Sequence, residues 1–270
     1  MLPETEQSLN EPAAGNVHKS AYEFPTPAIF TRAARWAVLL ITGSTRLNKV
    51  STAEWYNEFA DFYDSGELRY RSFRLELIKQ LRLRTGHTVM DVACGTGQNF
   101  DLIVQEIGGS GQLIGVDYST GMLKKAKERI KRHGWSSQGI RLVYAEAVSL
   151  NQEMLRTVLA DNEQKIDRII CSFGLAVATD WEDVFAGMWD VLAPGGRCAL
   201  MDGYLPNPRG ELRPRLVNTL SRTLTRADVT RRFWEPLRKR SQDYEERRYP
   251  YRLGTQLVIA SGTKPNVGSS

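Results

Sequence analysis

Cysteine, histidine and long apolar runs are all scarce in this 270-residue chain, and each scarcity removes a class of protein. The three cysteines, Cys94, Cys171 and Cys198, stand 77 and 27 residues apart. Neither a disulfide framework nor a structural zinc site fits that number and spacing. His18, His87 and His133 form no local pair, so no metal centre is expected. Near the N-terminus the longest uncharged, mostly apolar run, Trp36 to Thr45, is ten residues, about half of what a membrane-spanning helix needs. The opening Met1-Leu-Pro-Glu-Thr-Glu6 has no basic region ahead of an apolar stretch, so a cytoplasmic, reduced setting is expected rather than secretion. Glycine (22) and proline (11) show no repeating period, which excludes a collagen-like fibre.

What is present is ordinary globular balance. With 41% hydrophobic and 25% charged residues, the chain can bury one large domain with appendages. Its net charge of +5 is unevenly spread. Residues 1–24 carry Glu4, Glu6, Glu11 and Glu23 against Lys19, a net of −3. Residues 203–252 carry twelve arginines and Lys239 against six acids, a net of +7. Such a segment suits an anionic partner, whether an acidic substrate, a lipid surface or nucleic acid, and equally suits a solvated helical face.

Residues 1–27 lack periodicity and read as a flexible tail. Residues 28–84 read as helices covering the active site: Ala28 to Leu40, Thr52 to Phe62, and Leu68 to Leu81. From 85 to 262 short apolar strands alternate with helices. Strands are predicted at Thr88–Ala93, Gln112–Val116, Ile140–Tyr144, Ile166–Ser172 and Arg197–Met201, with Pro194-Gly-Gly196 a turn into the last. Alternation at this interval means right-handed βαβ units and a mostly parallel sheet with helices on both faces, an α/β fold. The Arg-rich stretch 203–252 is predicted to be an insert over the substrate side, helical at Glu211–Leu220 and Arg226–Arg238. A strand at Thr255–Ser261 then rejoins the sheet edge, and 263–270 is tail.

The informative segment is Asp91-Val-Ala-Cys-Gly-Thr-Gly97, where the first strand hands over to a helix. Gly95 and Gly97 let the backbone turn sharply and a ligand lie against it, at the strand ends where open α/β sheets bind ligands. The third glycine of a dinucleotide fingerprint would fall at residue 100, which is Phe100, and no Lys-Ser/Thr pair follows as a phosphate loop demands. The turn therefore suits a ligand without a diphosphate. Asp117 ends the second strand, twenty residues after Gly97, where a carboxylate can accept from the vicinal hydroxyls of a ribose. Asp91 adds a second negative charge that suits a cationic ammonium group. Ribose, ammonium and no phosphate together describe S-adenosylmethionine. The plain alternative is that Asp91 caps the turn and Asp117 the next helix, where Ser119 could also serve.

The segments Asp91–Gly97, Gly115-Val-Asp-Tyr-Ser119, Met122-Leu-Lys-Lys-Ala126 and Val191-Leu-Ala-Pro-Gly-Gly196 closely resemble the class I S-adenosylmethionine-dependent methyltransferases over residues 55–202. Within them, Phe59-Ala-Asp-Phe-Tyr-Asp64 and Ser172-Phe-Gly-Leu-Ala-Val-Ala-Thr-Asp180 look most like the quinone-biosynthesis and lipid-methylating branch. The resemblance implies a Rossmann-like seven-stranded, mostly parallel sheet whose last strand is antiparallel. It implies that Asp91, Ala93, Gly95, Thr96 and Gly97 hold the methionine half of the cofactor and Asp117 the ribose. Tyr118 and Met122 would lie near the adenine, with Glu146 or Ala147 at its amino group and Phe173 over the methionine arm. Tyr56 and Tyr63 would close the pocket, with Trp36 and Trp55 further aromatic candidates for the substrate side. Tyr63 and Asp64 are the candidate catalytic groups; cysteines 171 and 198 are expected to be core thiols.

Quinone methyltransferases usually carry an Arg and an Asn after Phe-Gly-Leu, where this chain has Ala176 and Val177, which argues against a quinone-pathway substrate. The Asn/Asp-Pro-Pro-Tyr sequence of base-amino methyltransferases is replaced by Cys171-Ser-Phe-Gly174, which argues against nucleic acid. The expected reaction is methyl transfer to a small or amphipathic acceptor, with an anionic group met by the arginines of 209–240, leaving S-adenosylhomocysteine. A lipid head group at a membrane surface is the runner-up, supported by the Ala28–Leu40 helix and the basic segment. A third reading is use of the bound sulfonium without transfer, as in a cyclisation.

Overall fold

The computed structural model describes residues 51–64, 67–159, 165–206, 212–251 and 254–266. The expected tail at 1–27, the Ala28–Leu40 helix and Trp36 lie outside them. Two helices come first, α1 (Thr52–Tyr63) and α2 (Glu67–Leu81). A capping box starts α1: the Glu54 carboxylate accepts from the amide and hydroxyl of Ser51, whose Oγ accepts from the Glu54 amide.

The alternating region follows as β1 (Thr88–Val92), α3 (Phe100–Ile107), β2 (Gln112–Asp117), α4 (Thr120–Arg132), β3 (Gly139–Tyr144), α5 (Gln152–Val158), β4 (Ile166–Ser172), α6 (Trp181–Val191) and β5 (Leu192–Tyr204). The chain then forms α7 (Leu212–Thr225), α8 (Glu235–Arg240), β6 (Gln242–Pro250) and β7 (Gln256–Thr263). These strands make one seven-stranded sheet in the order β3-β2-β1-β4-β5-β7-β6, and β7 runs antiparallel to both of its neighbours.

Strand alternation sends side chains to two cores, one on each face. Ile169, Cys171, Cys198 and Leu200 join Phe185, Met188 and Trp234 on one face. Ile170 and Ala199 join Leu77, Leu81 and Ile103 of α2 and α3 on the other. Cys171 and Cys198 are thus core thiols, and burial pushes Cys198 up to about 12.

Four expectations need correction. The last strand does not rejoin the sheet edge: β7 lies between β5 and β6. β6 itself was not predicted, because Gln242–Pro250 is nearly all polar. It is an edge strand whose charges are paired, Glu245 with Arg82 and Arg197, Glu246 with Arg238 and Arg248, and Arg247 with Glu76. The second helix of the insert, expected at Arg226–Arg238, is reduced to α8. Arg226 takes a left-handed conformation (φ 61°), and the segment after it is irregular, with turns at 229–230 and 233–234, and carries Phe233 and Trp234 to full burial in the core. Finally, Pro194-Gly-Gly196 is a bulge inside β5, with Leu192 opposite Ile166 but Arg197 opposite Arg168.

Candidate functional site

A cavity of about 390 Å³ opens at the carboxyl ends of β1, β2 and β4, with α1 along its other side. Of the residues singled out in the sequence, Tyr56, Tyr63, Ala93, Gly95, Asp117, Tyr118, Met122, Glu146, Ala147 and Phe173 line it. Trp55, Asp64, Asp91, Thr96 and Gly97 are not in the lining. Trp55 is buried and packs edge-on against Tyr56, so it supports the wall instead of facing the ligand space.

The turn after β1 has the geometry its glycines allow. Gly97 has φ +80°, and a Cβ there would stand 2.7 Å from the Phe100 ring. Phe100 is fully buried and fills the space between Gly97 and Gly115, where a dinucleotide fold would keep a small residue. Two non-glycine residues at the cavity also take left-handed conformations, Ala93 (φ 55°) and Phe173 (φ 61°). A Cβ on Gly174 would meet both Ala93 Cβ and Cys171 Sγ at 2.7 Å, so the ends of β1 and β4 are packed too closely for any other residue there. Such conformations cost about 1–3 kcal/mol each and concentrate at ligand sites.

Asp117 presents a carboxylate fixed by backbone alone: the Gly95 amide donates to Oδ2 and the Ser119 amide to Oδ1, each at 2.8 Å. Each oxygen keeps a lone pair for a further donor. Burial raises its pKa, against the pull of those amides. The helix-capping alternative goes to Ser119, whose Oγ accepts from the Met122 amide at the start of α4. Beside it, Tyr118 stacks on Tyr144 with ring centroids 5.4 Å apart, and the neighbouring Glu146 raises the pKa of its hydroxyl.

Asp91 sits one layer behind the lining, fully buried. Its Oδ2 accepts from Asn99 Nδ2 at 3.0 Å, while Oδ1 is buried with no hydrogen-bond partner. Burial pushes this carboxyl up to about 7, opposed by the Asn99 hydrogen bond and the Arg74 charge. An acceptor left in this state calls for a cationic donor. Together, a cavity-lining carboxylate with lone pairs to spare, a second carboxylate short of a donor and a turn filled from below by Phe100 fit a cationic nucleoside that lacks phosphate.

Sequence reasoning missed what holds these parts. Arg74 of α2 is buried and donates to Asn99 Oδ1 (2.7 Å), Ser172 Oγ (2.8 Å) and Gln98 Oε1 (2.8 Å), tying the turn to the end of β4. Asp64, a candidate catalytic group, instead accepts from Thr96 Oγ1, from Gln98 Nε2 and from Arg129 at 3.0 Å. It anchors the end of α1 to the glycine turn. Asn57 does the same at α4, its Oδ1 accepting from Ser119 Oγ (2.7 Å) and the Gly121 amide (2.8 Å). No periodicity marks a buried arginine, or an anchoring asparagine, on a helix. Among the described residues, no group of three His, Cys, Asp or Glu is placed to hold a metal, and no helix is long and apolar enough to cross a membrane.

A sequence model of the ubiE/COQ5 methyltransferase family matches residues 50–206. The chain belongs to that family. Its relatives include a demethylmenaquinone methyltransferase of Listeria welshimeri, 33% identical over 138 residues, which are 51% of this chain and 54% of that protein. A demethylmenaquinone methyltransferase of Anoxybacillus flavithermus is 28% identical over 156 residues, 56% of this chain and 61% of that one. The chain thus spans little more than half the length of the curated relatives it matches. Among solved structures, a phosphoethanolamine N-methyltransferase 2 of Haemonchus contortus superposes with a TM-score of 0.59 at 15% identity, over 80% of this chain and 61% of that one. The [4+2]-cyclase SpnF superposes at 0.55 and 15% identity, over 72% of this chain and 80% of that one. These two share the fold. The ubiE/COQ5 match includes the whole carboxylate site and ends before α7, so α7, α8, β6 and β7 lie beyond it.

Proposed function

We propose that this protein binds S-adenosylmethionine and transfers its methyl group to a small or amphipathic organic acceptor, releasing S-adenosylhomocysteine. One observation carries the reading: two carboxylates flank a turn with no phosphate cradle, Asp117 at the cavity and Asp91 behind it with a buried, unpartnered oxygen. The remaining lone pairs of Asp117 suit the ribose hydroxyls, and Asp91 suits the ammonium of the methionine arm, directly or through a water. Tyr118, Met122, Glu146 and Ala147 would take the adenine, and Ala93, Gly95 and Phe173 the arm that carries the sulfonium. Membership of the ubiE/COQ5 family supports the same assignment.

When bound, the sulfonium supplies a methyl carbon that is already activated, so the chain's task is alignment and exclusion of water. Tyr56, Tyr63 and Phe173 give the reacting end an aromatic wall. Burial raises the Tyr63 hydroxyl, which stays protonated and serves as a hydrogen-bond donor to the acceptor. Asp64 is a positioning residue, committed to Thr96 and Arg129. A phenolic or quinol ring is one acceptor that suits such a wall, in keeping with the names of the demethylmenaquinone methyltransferases. Ala176 and Val177 offer such a ring no polar side chain, and the Ala176 amide is committed to Asp202 at 2.8 Å. A quinol would therefore be held here by other groups.

Incubation with methyl-labelled cofactor and a metabolite pool, followed by mass spectrometry, tests the reading. Label in an organic product is the expected result. A product formed without label would replace transfer by a non-methylating use of the same site.

A further inference from the structure

Beyond the family match, α7 carries Arg213, Arg215 and Arg222 and no carboxylate. Its inner side is fixed to the body: Pro214 is buried, and Asn218 Oδ1 accepts from the Val229 amide at 3.0 Å. Its outer side exposes two leucines, Leu216 at 71% and Leu220, one turn on, at 46%. Between and beyond these leucines stand the exposed Thr219 and Thr223. Their hydroxyls donate back to the carbonyls of Arg215 and Thr219, each at 2.9 Å. A hydroxyl bonded to its own helix no longer needs water for its proton, which lowers the cost of moving that face into an apolar medium. Arg215 and Arg222 flank the leucines; Arg222 is 65% exposed and 3.7 Å from Asp228. At its far end the helix meets the cavity wall, where the Thr225 carbonyl accepts from the hydroxyl of Tyr56 at 3.0 Å.

We propose that α7 docks this protein on an anionic lipid bilayer. Leu216 and Leu220 enter the boundary between headgroups and acyl chains, and Arg215 and Arg222 meet lipid phosphates, so that an amphipathic acceptor reaches the cavity past Tyr56. The proposal rests on the amphipathic-acceptor reading above. Charge decides for a bilayer over another apolar cover: a helix whose own sequence carries three arginines and no acid beside its exposed leucines has the composition of an interfacial helix.

The test is sedimentation of the full chain with vesicles of phosphatidylcholine containing about one-third phosphatidylglycerol. Binding is expected, and it weakens on pure phosphatidylcholine and at high salt. Leu216→Ser with Leu220→Ser should lower partitioning at least about tenfold. Arg215→Gln should lower it about fivefold, on anionic vesicles only. All three side chains are exposed, and unchanged calorimetric binding of S-adenosylhomocysteine would report intact folding. Failure of the wild type to bind anionic vesicles, or full binding by the double-serine variant, overturns the proposal. So does a dimer that the double variant dissociates without changing vesicle binding, which would assign the face to a second copy. If instead the wild type ignores S-adenosylhomocysteine, the cofactor reading fails whatever the vesicles show.

Discussion

The strand side and the helix side of the cavity are built by different rules. On the strand side, ligand-facing groups lie within a few residues of a strand end and are held by main chain: the Gly95 and Ser119 amides grip Asp117, and the Cys94 amide bonds the Val116 carbonyl. On the helix side, Tyr56 is held by a carbonyl 169 residues away, and Asn57 by groups more than sixty residues on. The first wall falls inside the ubiE/COQ5 match, whereas the second is completed by α7, outside it. A cofactor shared by a family needs a wall fixed by backbone. Arg74 stands beneath the strand wall, because it ties the turn and the end of β4 to α2.

The largest effect is therefore expected at that bridge. Arg74→Leu leaves Asn99, Gln98 and Ser172 without a buried donor and should cost about 3–5 kcal/mol in urea unfolding, with cofactor affinity falling too. Retained affinity would mean that the strand wall stands without it. Gly97→Ala adds a Cβ 2.7 Å from Phe100 at φ +80° and should cost about 2–4 kcal/mol by the same assay. Asp117→Ala should weaken S-adenosylhomocysteine at least about tenfold in calorimetry while leaving the fold intact.

Acidity sharpens the contrast further. Asp91 titrates at about 7 in the folded protein, well above an unfolded aspartate at about 3.9. Because the folded state holds the proton more tightly between those values, stability without ligand falls as pH rises through that window, and Asp202, also at about 7, adds to the same trend. Cofactor affinity runs the other way, since an ammonium needs the ionised form. It should rise from about pH 6 to about 8 and then level off, and Asp91→Asn should flatten the profile. The smallest effect belongs to the helix wall. Tyr56→Phe removes one hydrogen bond to Thr225 and should cost about 0.5–1.5 kcal/mol, with cofactor affinity unchanged and acceptor KM raised.

The sequence was most legible where local rules dominate. Apolar runs bounded by turns marked six of the seven strands of the sheet, and the glycines at 95 and 97 marked the turn at the cavity. The place of Asp117 at the cavity was legible because it depends only on standing at a strand end. What stayed hidden depends on long-range pairing. β6 is polar because it is an edge strand whose charges are answered by Arg82, Arg197 and Glu76, none of them near in sequence. Phe233 and Trp234 sit in an Arg-rich stretch that reads as surface helix, yet their burial decides the backbone there. Arg74 looks like any arginine on a polar helix until Asn99, Gln98 and Ser172 are brought around it.

Titration calorimetry of S-adenosylhomocysteine into the wild-type protein and Asp117→Ala tests the central claim most directly. A single site is predicted in the wild type and weakened at least about tenfold in the variant, with no heat from a nicotinamide or flavin dinucleotide. Saturable binding of a dinucleotide by a protein indifferent to S-adenosylhomocysteine would contradict the account.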